Sequence, residues 1–165
     1  MAKSKGKGGL LESVLDRLTD NEPDNRNEVG PGRAQSFRQL KASLRRDLEW
    51  LLNTRRIIVP VPDYAKELQY SLFVYGLPDL TSFSSSSPRD QLELLRIMES
   101  AIGIFEPRLL SVVVTMIPVS EASRSLRFQI EGMVRGDPAP ERVVFDTVFD
   151  PVNGEYQVGK EASAR

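Results

Sequence analysis

Up to about residue 105 the apolar positions recur at three- and four-residue steps, and beyond it they run together or alternate. Leu11, Val14, Leu15 and Leu18 fall on one face of a helix predicted over Leu10–Leu18. A helix of about nine residues is marginal alone. It needs a surface to dock on, in a partner or on its own core. Thr19–Gly32 is polar, rich in Asn, Asp, Glu, Pro and Gly, and reads as a long loop. A loop of that length is either disordered or functional.

Ser36 is predicted to start the longest helix, with Ser36 and Gln39 spaced as a capping box. Phe37, Leu40, Leu44, Leu48, Leu51 and Leu52 form its apolar face. Arg38, Lys41, Arg45, Arg46 and Glu49 form the charged one. Arg45 and Arg46 with Arg55 and Arg56 suggest a basic patch, against the plainer reading of a solvated face. At 1.5 Å per residue such a helix spans about 27 Å, enough to cross a small domain. Val59–Pro62 carries two prolines and is predicted extended. A short helix is expected over Ala65–Val74, then a turn at Gly76, Pro78 and Asp79. Ser82–Ser87 reads as an exposed serine-rich loop. Ser87, Pro88 and Asp90 then mark a helix start. That helix is expected to turn Leu92, Leu95, Met98, Ala101 and Ile102 inward and to stop near Gly103.

Leu109–Val119 is β-branched and apolar, as a buried strand is. Leu126, Phe128, Ile130, Gly132 and Val134 alternate with polar residues, the pattern of a half-buried strand. Gly136–Pro140 breaks it. Val143, Phe145, Thr147 and Phe149 give a third strand, Asn153–Gly154 a hairpin turn, and Tyr156 and Val158 a short last strand. Helices first and strands last predict an α+β fold, with N-terminal helices packed on a C-terminal antiparallel sheet that ends in a β-hairpin.

Composition narrows the chemistry. The chain has 165 residues, 22 basic and 23 acidic side chains, and a net charge of −1. That balance gives no general attraction to nucleic acid or to an anionic membrane surface. No apolar run is long enough to span a membrane, and no secretory signal is read at the N-terminus. Residues 1–9 read as a flexible basic tail, with an anion-binding arm as the alternative. There is no cysteine, which fits a reducing, cytoplasmic setting. There is no histidine either, which removes Ser-His-Asp catalysis and histidine-ligated zinc. No glycine-rich nucleotide motif is present, and no cofactor is expected. An enzyme would have to use paired carboxylates, for which Glu99, Glu106 and Glu131 are candidates without a distinctive motif.

Two places invite a partner. Glu106, Pro107 and Arg108 stand where the third long helix gives way to the first strand; an ordinary exposed junction is the plainer reading. The hairpin Arg142–Val158, if it lies at the sheet edge, offers unpaired backbone groups to another strand; the alternative is an edge guarded by Asp146, Asp150 and Lys160.

Several short segments, in this order and spacing, resemble the TssE family, the small baseplate wedge subunits of type VI secretion systems. They are LDRLTD at 15–20 with Glu22–Pro23, LRRDLEWLLNTR at 44–55, YGLPDL at 75–80, Ala101–Ile102 with FEPRL at 105–109, LRF at 126–128 and VFD at 144–146. That family is related to the lysozyme-like wedge protein of contractile phage tails. The resemblance implies one α+β wedge domain over residues 36–160, preceded by a docking helix and loop over 10–35. It implies a structural role rather than an enzyme, linking the wedge to the contractile sheath, with a strand edge on which the sheath assembles. A peptidoglycan-cleaving lysozyme-like enzyme is the alternative. The implied partners are the wedge subunits TssF, TssG and TssK and the sheath subunits TssB and TssC, with no nucleic acid and no membrane insertion. The partner-binding residues it implies are Glu106, Pro107 and Arg108, with Leu11, Leu15 and Leu18, and Val144, Phe145 and Asp146. It further implies that Arg108→Glu abolishes assembly and leaves the fold intact.

Overall fold

The computed structural model describes residues 13–19, 33–79, 83, 87–118, 125–135 and 139–161. The basic tail, Leu11 and nearly all of the 19–32 loop lie outside these residues. Helix α1 is Val14–Leu18, α2 is Arg33–Asn53 and α3 is Pro88–Phe105. The strands are β1 Leu109–Ile117, β2 Leu126–Val134, β3 Glu141–Asp150 and β4 Glu155–Glu161. They form one antiparallel sheet in the order β1-β2-β3-β4. The fold is α+β.

Helix α2 begins three residues ahead of Ser36, which therefore lies inside the helix and does not cap it. Arg33, Ala34 and Gln35 are good helix formers that follow Pro31–Gly32. The helix expected over Ala65–Val74 is instead two 3₁₀ turns, Lys66–Tyr70 and Leu72–Val74. Ser71 separates them: its hydroxyl accepts the Phe73 N–H and donates to the Leu68 carbonyl. Ser87 caps α3 as expected, accepting the Asp90 N–H. The helix passes Gly103 and ends at Phe105, because Pro107 disfavours helical geometry at Glu106. Its buried face is Leu94, Met98, Ala101 and Ile102; Leu92, expected inside, is exposed.

The core lies between the helices and one face of the sheet. Leu40, Leu44, Leu48, Leu51 and Leu52 of α2 meet Phe128, Ile130, Val143, Phe145, Tyr156 and Val158. These residues of β2, β3 and β4 occupy alternate positions, so a period-two pattern supplies their share of the inner face. Helix α2 packs against β4 and α3 against β1. Gly76 closes the loop after α2. Its φ is +101°, and a Cβ there would stand 2.2 Å from the Thr54 carbonyl oxygen. That close approach lets the Leu77 N–H reach Thr54 O at 2.8 Å. Gly154, with φ +69°, serves the β3–β4 turn signalled by Asn153–Gly154.

Candidate partner-binding site

Ser43, Arg46 and Asp47 recur at helical spacing on one face of α2, beside the apolar stripe. Two other segments converge there. From the α3–β1 junction comes Arg108. Its Nε donates to Glu106 Oε1 at 2.6 Å and its Nη2 to Glu106 Oε2 at 2.5 Å. The same Nη2 reaches Asp47 Oδ2 at 2.5 Å, and Nη1 donates to Ser43 Oγ at 3.0 Å. From α1 comes Asp16, which accepts Arg46 Nη1 at 2.9 Å and the Ser43 hydroxyl. Ser13 caps α1, accepting the Asp16 N–H at 3.1 Å and Arg46 Nη2 at 3.2 Å. Arg46 also binds Asp47 Oδ1 at 3.0 Å and lies 5.3 Å from the ring centre of Trp50, which is exposed.

Two guanidiniums thus serve three carboxylates. Glu106 is 4% and Arg108 8% exposed, so neither belongs to an exposed junction; only Pro107 is on the surface. Burial works against the Arg108 charge, and the Glu106 and Asp47 carboxylates outweigh it, so its pKa rises further. Burial pushes the Asp16 carboxyl up, but hydrogen bonds from Arg46, Ser43 and Ser13 overcome this and hold it down at about 2. Tyr75, half-buried, is raised by burial and by the nearby Asp47 and Glu106 charges.

The expectation that Arg108→Glu spares the fold is revised here. A glutamate at that position would bury a third carboxylate beside Glu106 and Asp47 with no cation between them. Leu15 and Leu18 are exposed, Leu18 at 79%, because α1 docks through Asp16 and not through these leucines. The network therefore brings Leu15 and Leu18 onto the same side of the domain as Glu106–Arg108, while Leu11 lies outside the described residues.

Val144, Phe145 and Asp146 are elsewhere, and their expected role needs correction. They sit in β3, an inner strand with β2 on one side and β4 on the other, so their backbone cannot form a sheet edge. Phe145 is a core residue, 2% exposed. The edges are β1 and β4. Tyr156, Val158 and Glu161 stand opposite Phe149, Thr147 and Phe145. These three β3 residues share one parity and, because the backbone of Tyr156 opposite Phe149 bonds Asn53, turn their N–H and C=O groups to β2. The three β4 residues therefore turn theirs away from the sheet. Tyr156 delivers both to Asn53 of α2. On β1 the outward N–H of Leu109 goes to Glu106 O and that of Val114 to Glu99 Oε1 at 2.8 Å. A bulge with Ser111 at φ +52° also interrupts β1.

Sequence reasoning missed Asp16, Ser43, Asp47 and Asn53. Ser43 and Asp47 are polar residues four apart, each flanking a leucine of the buried stripe, and that spacing was the available signal. The three candidate catalytic glutamates are all engaged: Glu99 with Val114, Glu106 with Arg108, and Glu131 in an exposed ion pair with Arg142. None of them lines the cavity of about 500 Å³ between the end of α2 and the β3–β4 turn. Among the described residues no cluster of acidic groups is placed to hold a metal, and no helix is long and apolar enough to cross a membrane.

A small α+β domain with a buried charged joint at one surface and a strand edge at another has the features of an assembly subunit. Residues 38–139 match the family model of baseplate wedge protein gp25, and the chain belongs to that family, which includes TssE. It is a structural component of a baseplate. A comparison with curated proteins returns no match.

Proposed function

We propose that this chain is the wedge subunit of a type VI secretion baseplate, joining the wedge complex to the contractile sheath in the cytoplasm. On this reading the wedge partners are TssF, TssG and TssK, and they meet the surface that carries α1, Pro107 and the network beneath it. The sheath partners are TssB and TssC, and one of them adds a strand to β4. The role is one of binding and needs no catalysis. The observation that carries the reading is the outward, unshared backbone of Val158 and Glu161 on β4, the groups that strand addition uses.

Val158→Pro tests it. Proline at that position removes an N–H that makes no bond to β3 but also replaces a core valine, so the thermal midpoint of the variant is measured beside that of the native chain. The expected outcome is that the tagged variant co-purifies with wedge subunits but loses the sheath. Retention of the sheath by a folded Val158→Pro chain would place the sheath contact elsewhere.

A further inference from the structure

Asn53 is the last residue of α2, and its carboxamide stands where a peptide group of a neighbouring strand would stand. Its Nδ2 donates to the Tyr156 carbonyl at 2.8 Å, and its Oδ1 accepts the Tyr156 N–H at 2.8 Å. The other hydrogen of Nδ2 goes to the Glu49 carbonyl at 2.9 Å, one turn back in α2. Both donor hydrogens and the acceptor are thus engaged, and the helix fixes the orientation of the group. One of the outward positions of β4 is therefore already paired, by a side chain that copies the donor–acceptor pattern of a strand.

We propose that Asn53 is a register stop: it occupies the pairing groups of Tyr156, so that a strand added to β4 pairs at Val158 and Glu161 and ends before the β3–β4 turn. This rests on the strand-edge reading above and adds to it the residue that decides where the incoming strand ends. To pass Tyr156, that strand must expel the carboxamide. Its own bonds would only replace those it breaks at Tyr156, while Asn53 and the Glu49 carbonyl lose theirs. The exchange gains nothing, so the strand ends where the stop stands. The second residue that shapes the edge is Gly159. A Cβ there would lie 2.9 Å from the Asp146 carbonyl oxygen, so the bulge between Val158 and Glu161 needs glycine. The stop at one end and the bulge at the other leave a short window with a defined register.

A mere staple between α2 and β4 would make the same two hydrogen bonds, so the test must read where an added strand ends. Residue-resolved amide hydrogen exchange is measured on the full chain, alone and with purified sheath subunits, for the native sequence and for Asn53→Ala. In the native chain the Tyr156 amide is slow throughout, and the Val158 amide slows by about tenfold or more on sheath addition. In Asn53→Ala the Tyr156 amide is about tenfold faster in the chain alone and slows again with sheath, because the added strand now runs one pair further. Asn53→Ser, too short to reach Tyr156, repeats the comparison with a polar side chain kept at the helix end. An identical footprint in native and variant chains overturns the register stop and leaves the strand-edge reading standing. No binding, or binding that protects neither Val158 nor Glu161 in any chain, overturns the strand-edge reading and the register stop with it.

Discussion

The charged joint around Arg108 and the outer edge of β4 are opposite solutions to presenting a surface. At the joint, every guanidinium and carboxylate already has a partner inside the chain, and what faces outward is Pro107 and the leucines of α1. At the edge, backbone groups of Val158 and Glu161 face away from the sheet, and under the proposed role they take the strand of another chain. The first surface is organised by completed bonds, the second by incomplete ones. A substitution at the joint therefore acts on folding before it acts on binding. One at the edge can act on binding alone. Loss of assembly after a joint mutation says little about contact unless the fold is measured first.

The largest effect expected is that of Arg108→Glu. Removing one partner of a buried ion pair costs about 3–5 kcal/mol, and the added carboxylate increases it. Urea denaturation of the isolated chain should give a much lower midpoint, or no folded baseline. A variant that unfolds at the native midpoint yet loses its partners would break the comparison, because the joint would then be a contact surface like the edge.

Gly159→Ala comes next. Crowding of the new methyl against the Asp146 carbonyl is expected to cost about 1–3 kcal/mol, read from the thermal midpoint. The loss should be local, with amide protection falling in β4 and unchanged in β2. A uniform loss would mean that the edge is not separable from the core.

Asp16→Asn is expected to do least to global stability, about 0.2–1 kcal/mol, since its pair with Arg46 is partly exposed. It sharpens the comparison through pH. The docked Asp16 carboxyl titrates at about 2 against an ordinary 3.8. Docking of α1 is thus at full strength above pH 3.8 and is lost as the pH falls through about 2. Trp50, the chain's single tryptophan, lies under Arg46 and should report the release as a fluorescence change in that window. Asp16→Asn should lack that step. A step that persists in the variant would show that the Asp16 carboxyl does not control the release of α1.

The sheet was largely legible in the sequence because its two faces differ. Phe128, Ile130, Val143 and Phe145 fall on the buried face by simple alternation. Ser87–Pro88 and Asn153–Gly154 worked because their geometry is set by neighbours in the chain. Ser36 misled because a capping side chain is equally at home one turn inside a helix whose preceding residues also favour helix. The site was legible only in part. Alternation had already placed Phe145 inside, and the core reading prevailed over the partner role implied by resemblance. Asp16 and Asn53 act on segments 27 and 103 positions away, and no local pattern encodes such pairings.

The guarded edge of β1 has a consequence for counting. Glu99 and the Glu106 carbonyl take two of the outward N–H groups of β1, those of Val114 and Leu109, which leaves β4 as the edge the proposed role uses. Used through β4 alone, as proposed, the subunit has a valence of one. It can begin a run of strands but cannot sit in the middle of one, and two copies cannot bridge a growing array from both ends. Under the proposed role that makes the chain a starter block: the number of copies present fixes the number of strand series that begin, and each grows in only one direction.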